Sequence, residues 1–314
     1  MFEKGVYNKT VVDTILGKNT KKIGILRSPD ELIMSTWDFY RHQNKLHKII
    51  STIEDRFGDS TNEEAFNHFV NNFDLLMAAE NDHLSFAFEN PQARMFTDDF
   101  ILLENVADLI HFISHEFDLI LITEKLEESL AVMMVKFDLT LEDITSLKQN
   151  QFRSDDKLTR ATISSVSKAK ILEMTELDHQ IYRYFVERLI DEINEIGNEK
   201  IDDIVRQLVQ RQVEIQESCF EHKTFINNIQ YYQLLPEMEA NQTCLFHASN
   251  PGMHHDILRD IQVKQLERWH KSHERIKQFC SHSFRDKLHS RIAFTHHKQK
   301  PTILNCPTNK FDIF

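Results

Sequence analysis

Lys22 to Tyr40, KIGILRSPDELIMSTWDFY, is the stretch whose reading decides the fold. Ile23, Ile25 and Leu26 make a short apolar run, which predicts a buried parallel strand. Ser28, Pro29 and Glu31 follow as a helix start. The serine can cap, the proline suits the first turn, and Glu31 completes an S-x-x-E capping box. Ile33, Trp37 and Tyr40 then recur at helical spacing, as do Leu46, Ile49, Ile50 and Ile53. A strand running straight into a helix is the basic unit of an α/β sheet.

This layout puts Arg27 at the carboxyl end of the strand, where open α/β sheets place their ligands. Ser35 falls about two turns into the helix, at about 3.6 residues per turn. An arginine fork holds a phosphate bidentately and a nearby hydroxyl adds a donor. The same spacing also fits a surface arginine beside an ordinary helix serine.

A second unit of this kind lies at 99–138. Leu102, Val106, Leu109 and Ile113 mark a helix, and 118–123 reads DLILIT, a near-continuous apolar strand. Leu126, Leu130, Met133 and Phe137 mark the helix after it. Glu124 directly follows the strand, at a position where catalytic groups sit in α/β folds. Glu127 and Glu128 read as first-turn acids that complement the helix dipole.

Other segments are plainer. Residues 1–22 predict a surface segment with a short helix. Phe66, Phe69, Val70, Phe73, Leu76 and Met77 predict a helix over 62–79. Residues 81–99 read as irregular, with Asn90-Pro91 as a turn signal. Ile144 to Asn150 suggests a short strand. From about Ser164 the chain turns helical. One amphipathic helix runs through Leu177, Ile181, Tyr184, Phe185, Leu189, Ile193 and Ile196, Gly197 interrupts it, and Ile201 to Val209 opens the next. After Cys219 the pattern weakens. The expected division is therefore 1–220 as the main domain and 221–314 as a helical or irregular extension.

Composition narrows the function classes. The chain has 314 residues, 41% of them hydrophobic, with Gly 6 and Pro 6. So few breakers disfavour an all-β sandwich. The formal charge of -12 argues against a general nucleic-acid binder. An anionic ligand would need a local basic pocket. No apolar run reaches about 18 residues, so no membrane span is expected, and residues 1–22 lack the core of a signal peptide.

Cys219, Cys244, Cys280 and Cys306 show no C-x-x-C spacing, which leaves free thiols or two disulfides open and speaks against zinc. Among the 17 histidines, His111/His115, His254/His255, His270/His273 and His296/His297 form pairs. No acid or cysteine set completes a metal site with them. Lys148, Asn150 and Arg153 form a polar cluster that fits a second anion contact or a solvated loop. Asn8 and Asn241 open glycosylation sequons. No G-x-x-x-x-G-K-[ST], G-x-G-x-x-G or G-x-S-x-G motif is present.

Five segments, in order, resemble the galactose-3-O-sulfotransferase family. ILRSPDELIMSTWDFY resembles its 3′-phosphate-binding segment, roughly LREPxxxFESSFxYY. ENPQARMFTDDF resembles an NPxxxDxG turn, with Asp99 in place of the usual glycine. EFDLILITEKLEESLAVMMVKFDLTLEDI resembles EFDLVxIxExFxESLxLL and the run after it. SLKQNQFR resembles a KxNxR segment with the arginine displaced. LDHQIYRYFVERL resembles D-x-x-LYxHFN, with Tyr184 in place of histidine. The resemblance covers about Phe2 to Phe220.

This resemblance implies a P-loop-like parallel sheet flanked by helices, with a helix-rich C-terminal half. It implies a Golgi enzyme that moves sulfate from 3′-phosphoadenosine 5′-phosphosulfate, without a metal, to the 3-hydroxyl of galactose on a glycolipid such as galactosylceramide or on a glycan. Arg27 and Ser35 fall on the positions that hold the 3′-phosphate. In the family, a loop with lysine, histidine and Ser/Thr that grips the 5′-phosphosulfate lies upstream of this segment. Residues 1–26 contain no such loop and no anchor. The chain is therefore expected to lack the family's N-terminal strand and loop, which leaves Glu124 as the remaining catalytic candidate. The rival reading is a non-catalytic helical binding or scaffold protein derived from a sulfotransferase.

Overall fold

The computed structural model describes residues 7–17, 19–80, 85–97, 105–147, 158–159, 161, 163–226, 229–238, 241, 244 and 247. In chain order the N-terminal part runs α1 Lys9–Leu16, β1 Ile23–Leu26, α2 Pro29–His42, α3 His47–Phe57, α4 Asn62–Asn71, α5 Phe73–Glu80, α6 Ser85–Phe88 and α7 Pro91–Phe96. There follow α8 Val106–Glu116, β2 Leu119–Ile122, a 3-10 turn Thr123–Lys125, α9 Leu126–Phe137 and α10 Leu141–Ile144. The C-terminal part holds α11 Ser165–Met174, α12 Glu176–Ile196, α13 Asn198–Cys219, β3 Phe220–Ile226 and β4 Ile229–Leu234. Helices dominate around a small parallel sheet.

β1 and β2 pair in parallel, in register from Ile23 opposite Leu119 to Leu26 opposite Ile122. All four residues of β2 are buried, as an apolar run in a covered sheet requires. β1 departs from the expected burial. Leu26 is buried, whereas Ile23 is 42% and Ile25 56% exposed. Alternate strand residues point to opposite faces, so one face of β1 packs inward and the other stays open. Gly24 explains the inward side: a Cβ there would lie 2.6 Å from Ile120 Cδ1 and 3.1 Å from Phe96 Cε1. β1 thus sits closer to the core than a side chain would permit.

The amino end of the sheet is fastened by charge. Glu116 accepts hydrogen bonds from Lys9 Nζ at 2.6 Å and from Tyr7 Oη and Lys22 Nζ. Lys22 Nζ also reaches Asp13 at 2.9 Å, and its backbone N–H donates to Asp118 Oδ2 at 2.9 Å. Burial would raise the Glu116 carboxyl, but the bonds from Lys22, Lys9 and Tyr7 outweigh it and hold it down at about 2.

Two apolar clusters form the core. One surrounds the sheet, with Phe96, Ile113, Leu130, Ile181, Phe185 and Leu208 among its buried members. The other joins α2 to α5 with α6 and α11 through Trp37, Phe66, Phe69, Phe73, Phe88 and Ile171. Trp37 Nε1 donates to Asn62 Oδ1 at 2.8 Å, and Asn62 Nδ2 to Asp38 Oδ1 at 3.0 Å, so the buried polar atoms are paired.

Several boundaries differ from the sequence reading. The helical pattern after Arg27 is two helices, broken where Asn44 takes a positive φ of 55°. The 62–79 pattern breaks at Asn72, whose side chain donates to His68 O. Residues 85–97 hold two short helices instead of irregular chain. Residues 141–144 are a helical turn with Thr140 and Asp143 as its capping box; of the short strand expected over 144–150, residues 144–147 are not extended into a strand and 148–150 lie outside the described residues. After Cys219 comes an antiparallel hairpin with a bulge between Phe220 and His222. Cys219 and Cys244 form a disulfide with Cα atoms 5.3 Å apart. Cys280 and Cys306 lie outside the described residues, as do Asp99, Lys148, Asn150, Arg153 and the histidine pairs after 250. No described helix is long and apolar enough to cross a membrane.

Candidate functional site

The carboxyl ends of β1 and β2 come together in a sewn cluster. Thr123 Oγ1 donates to Leu26 O at 3.0 Å, which ties the end of one strand to the other. Glu124 then accepts from the Ser28 N–H at 2.8 Å through Oε1 and from the Tyr182 hydroxyl at 3.0 Å through Oε2. One carboxylate so links β2, the entry to α2, and α12.

Ser28 does stand at the N-cap of α2, with Pro29 at the first position. The expected capping box is not formed: the Ser28 side chain makes no capping bond. The reason is geometric. Its ψ is 123° at φ -50°, and its backbone N–H is already taken by Glu124. Asp30 and Glu31 occupy the first turn of α2. Their negative charge, with that of Glu124, offsets the positive end of the helix.

An anion at this edge would therefore be held by a side-chain cation. Arg27 supplies one. Its side chain is 32% exposed and its nearest ion-pair contact is a long one, Nη2 to Glu31 Oε2 at 4.0 Å. Its backbone is held on both sides by Gln92: the amide oxygen accepts from the Arg27 N–H at 2.7 Å and the amide nitrogen donates to Arg27 O at 2.9 Å. Ser35 lies on α2, half-buried, in the second turn.

Gln92 is in turn anchored by Asp178 at the start of α12. Asp178 is fully buried, and its carboxylate accepts from Gln92 N at 3.0 Å and Ala93 N at 2.7 Å. Burial pushes the Asp178 carboxyl up to about 6, against the downward pull of those two N–H groups.

Sequence reading singled out Arg27, Ser35 and Glu124 and missed Gln92, Thr123, Tyr182 and Asp178 as parts of the site. The Asn90-Pro91 turn and the LDHQIY segment were visible, but nothing in them tells that they converge on Arg27. Tyr184, on the same helix as Tyr182, is exposed. Among the described residues no group of three histidine, cysteine or acidic side chains is placed to hold a metal. The His111 and His115 rings are tilted by 42° with centroids 3.9 Å apart, and the His115 Nδ1 lies 2.8 Å from His111 O.

Comparison with known proteins gives one match. No curated protein and no solved structure matches the chain. The galactose-3-O-sulfotransferase pattern matches residues 4–243, which carry both parallel strands, Arg27 and Glu124. More than half of the sequence lies within that match, and the chain belongs to the galactose-3-O-sulfotransferase family.

Proposed function

We propose that this chain binds the 3′-phosphate end of 3′-phosphoadenosine 5′-phosphosulfate at Arg27 and Ser35, in a P-loop-like sulfotransferase fold, for sulfation of the 3-hydroxyl of galactose on a glycolipid or glycan. The observation that carries this reading is the Arg27 guanidinium: it stands at the carboxyl end of a parallel strand, on a doubly held backbone, with a loose 4.0 Å acidic neighbour. A phosphate dianion can displace such a neighbour, since an exposed ion pair contributes about 0–1 kcal/mol. The co-substrate supplies the sulfuryl group when bound. The part assigned to this chain is to orient the nucleotide by its 3′-phosphate.

Sulfuryl transfer also needs a base for the acceptor hydroxyl. Glu124 is the candidate on this edge, being exposed and next to the strand end. The Cys219–Cys244 bridge supports an oxidising compartment, in keeping with a Golgi lumen.

Titration calorimetry with adenosine 3′,5′-bisphosphate tests the nucleotide site. Arg27→Ala is expected to weaken binding by about 1.5–3 kcal/mol, the worth of a charged hydrogen bond, and Ser35→Ala by less. Equal affinity in wild type and Arg27→Ala rejects the assignment.

One observation favours the non-catalytic alternative. Both Glu124 oxygens already serve the fold, through Ser28 and Tyr182, which suits a latch better than a base. Radiolabelled sulfate transfer to galactosylceramide by the full chain separates the two. Nucleotide binding without turnover supports a binding protein, and turnover lost in Glu124→Gln at unchanged melting temperature supports the base.

A further inference from the structure

Gln92 does for Arg27 what a neighbouring strand would do. Its planar amide presents an acceptor and a donor side by side, and both meet the Arg27 peptide groups, at 2.7 and 2.9 Å. The pairing falls one residue beyond the end of β1, where ladder bonding from β2 has stopped. Gln92 is 5% exposed. An amide buried that far is costly unless its donor and acceptor are both used. Asparagine and glutamine carry a donor and an acceptor side by side on one planar, uncharged amide that does not titrate.

Behind Gln92 stands a second fixed point. Its own N–H and that of Ala93 are held by the Asp178 carboxylate from α12. Two hydrogen bonds from the buried carboxylate thus hold Gln92 and Ala93, and two more run from the Gln92 side chain to the Arg27 backbone. The Arg27 side chain at the far end is left a third exposed. A fixed root with an accessible tip is the arrangement that lowers the ordering cost of gripping an anion.

We infer that Gln92 is the positioning residue of the anion site at Arg27, with Asp178 as its anchor; this rests on the reading of Arg27 as a phosphate holder. Gln92 touches no ligand itself. It sets where the arginine fork starts, and so the preference for a nucleotide that carries a 3′-phosphate.

Two measurements on the full chain test this. Gln92→Met keeps the length and removes both bonds. In the ligand-free protein, exchange of the Arg27 amide hydrogen is expected to quicken on the order of tenfold or more, as a local opening becomes easier. Calorimetry with adenosine 3′,5′-bisphosphate and adenosine 5′-monophosphate reads the consequence. Wild type prefers the bisphosphate. In Gln92→Met and in Arg27→Ala that preference falls toward one, while the monophosphate still binds. Unchanged Arg27 exchange in Gln92→Met overturns the inference. So does weakening of both nucleotides in step, which is the mark of a merely structural role. A wild type with no preference, or an Arg27→Ala that keeps it, sinks the phosphate reading and this inference with it. The exchange arm separates these failures, because it reads the Gln92–Arg27 pairing with no ligand present. If Gln92→Met does not fold, Gln92→Glu decides the same question: it keeps the acceptor for the Arg27 N–H, loses the donor, and is expected to fall between.

Discussion

Asn90 and Asp178 cap each other's helices. Asn90, in a left-handed conformation at φ 42°, accepts from the Leu177 and Asp178 N–H groups at 2.9 and 3.2 Å. Asp178 accepts from Gln92 and Ala93, the second and third residues of the helix that Asn90 precedes. Each side chain satisfies the orphan donors of the other's helix. The exchange joins two segments 88 residues apart and leaves Gln92 facing Arg27.

Asp178→Ala would strand two buried N–H groups, at about 1–3 kcal/mol each. Urea midpoints are expected to drop accordingly, and less for Asp178→Asn, which keeps an acceptor. The wild type also carries a pH signature. Its folded carboxyl is raised to about 6, above the usual 3.8. Between these values the folded state binds more protons than the unfolded one. Stability from this group therefore falls as pH rises through that window. The difference between wild type and Asp178→Asn should narrow from pH 5 to pH 7. A difference flat across that range would contradict the burial of an ionisable Asp178.

Glu116 works in the opposite direction. Its carboxyl is held at about 2 in the fold, below the usual 4.5. Its contribution is present above pH 4.5 and is lost as pH falls toward 2. Glu116→Gln should flatten the acid limb of an unfolding profile between those values. An acid limb as steep as that of wild type would show that the Lys9, Tyr7 and Lys22 bonds do not form in solution.

Local patterns carried much of this fold, and the site did so only in part. The strands at 23–26 and 119–122 were legible because apolar runs preceding helices have few other uses, while their pairing with each other came only from the structure. The turn at Asn90-Pro91 was legible from its residues. What Asn90 bonds to was not, because its partners lie 87 and 88 residues away. The open face of β1 was hidden for a related reason. Isoleucine at 23 and 25 looks the same whether or not a layer covers it. The hairpin at 220–234 was missed because FEHKTFI and IQYYQL mix polar and apolar residues without clean alternation.

Gly24→Ala should destabilise the chain through crowding. The added methyl would stand 2.6 Å from Ile120 Cδ1 and 3.1 Å from Phe96, both buried. The Ile120 methyl is the end of a side chain and can rotate, but Phe96 stands behind. Overpacking of this kind costs about 1–3 kcal/mol. The paired change Gly24→Ala with Ile120→Val removes the nearest methyl and should recover part of the loss. Thermal melts of the three proteins decide it.

Ile25→Lys should alter association more than stability. Ile25 is 56% exposed on the open face of β1, on a strand with one described partner. Exposed apolar strands invite pairing with other chains, and lysine blunts them. The melting temperature is expected to stay within about 2–4 °C of wild type, while light scattering at high concentration falls. Scattering unchanged by the substitution would place the self-association surface elsewhere.

Reduction of the Cys219–Cys244 bridge should loosen the hairpin selectively. The bond closes a sequence separation of 25 residues around β3 and β4, a pair joined to the long helix α13 through Cys219 itself. Loop-closure entropy alone assigns such a bridge about 3.5 kcal/mol. Among the bonds that remain without it are Leu235 N–H to Cys219 O at 2.9 Å and Cys244 N–H to Asn241 Oδ1 at 3.1 Å. The bond at Cys244 is local to its own turn and does not tie that segment to the helix once the covalent tie is gone. The parallel sheet and Arg27 draw their contacts from Gln92, Thr123 and Glu124, none of which lies in the bridged loop. Hydrogen exchange with and without reductant should therefore speed at 220–234 and stay unchanged at 23–27. Exchange that quickens equally in both regions would mean that the bridge holds the whole domain, and that the strand end at Arg27 depends on its redox state.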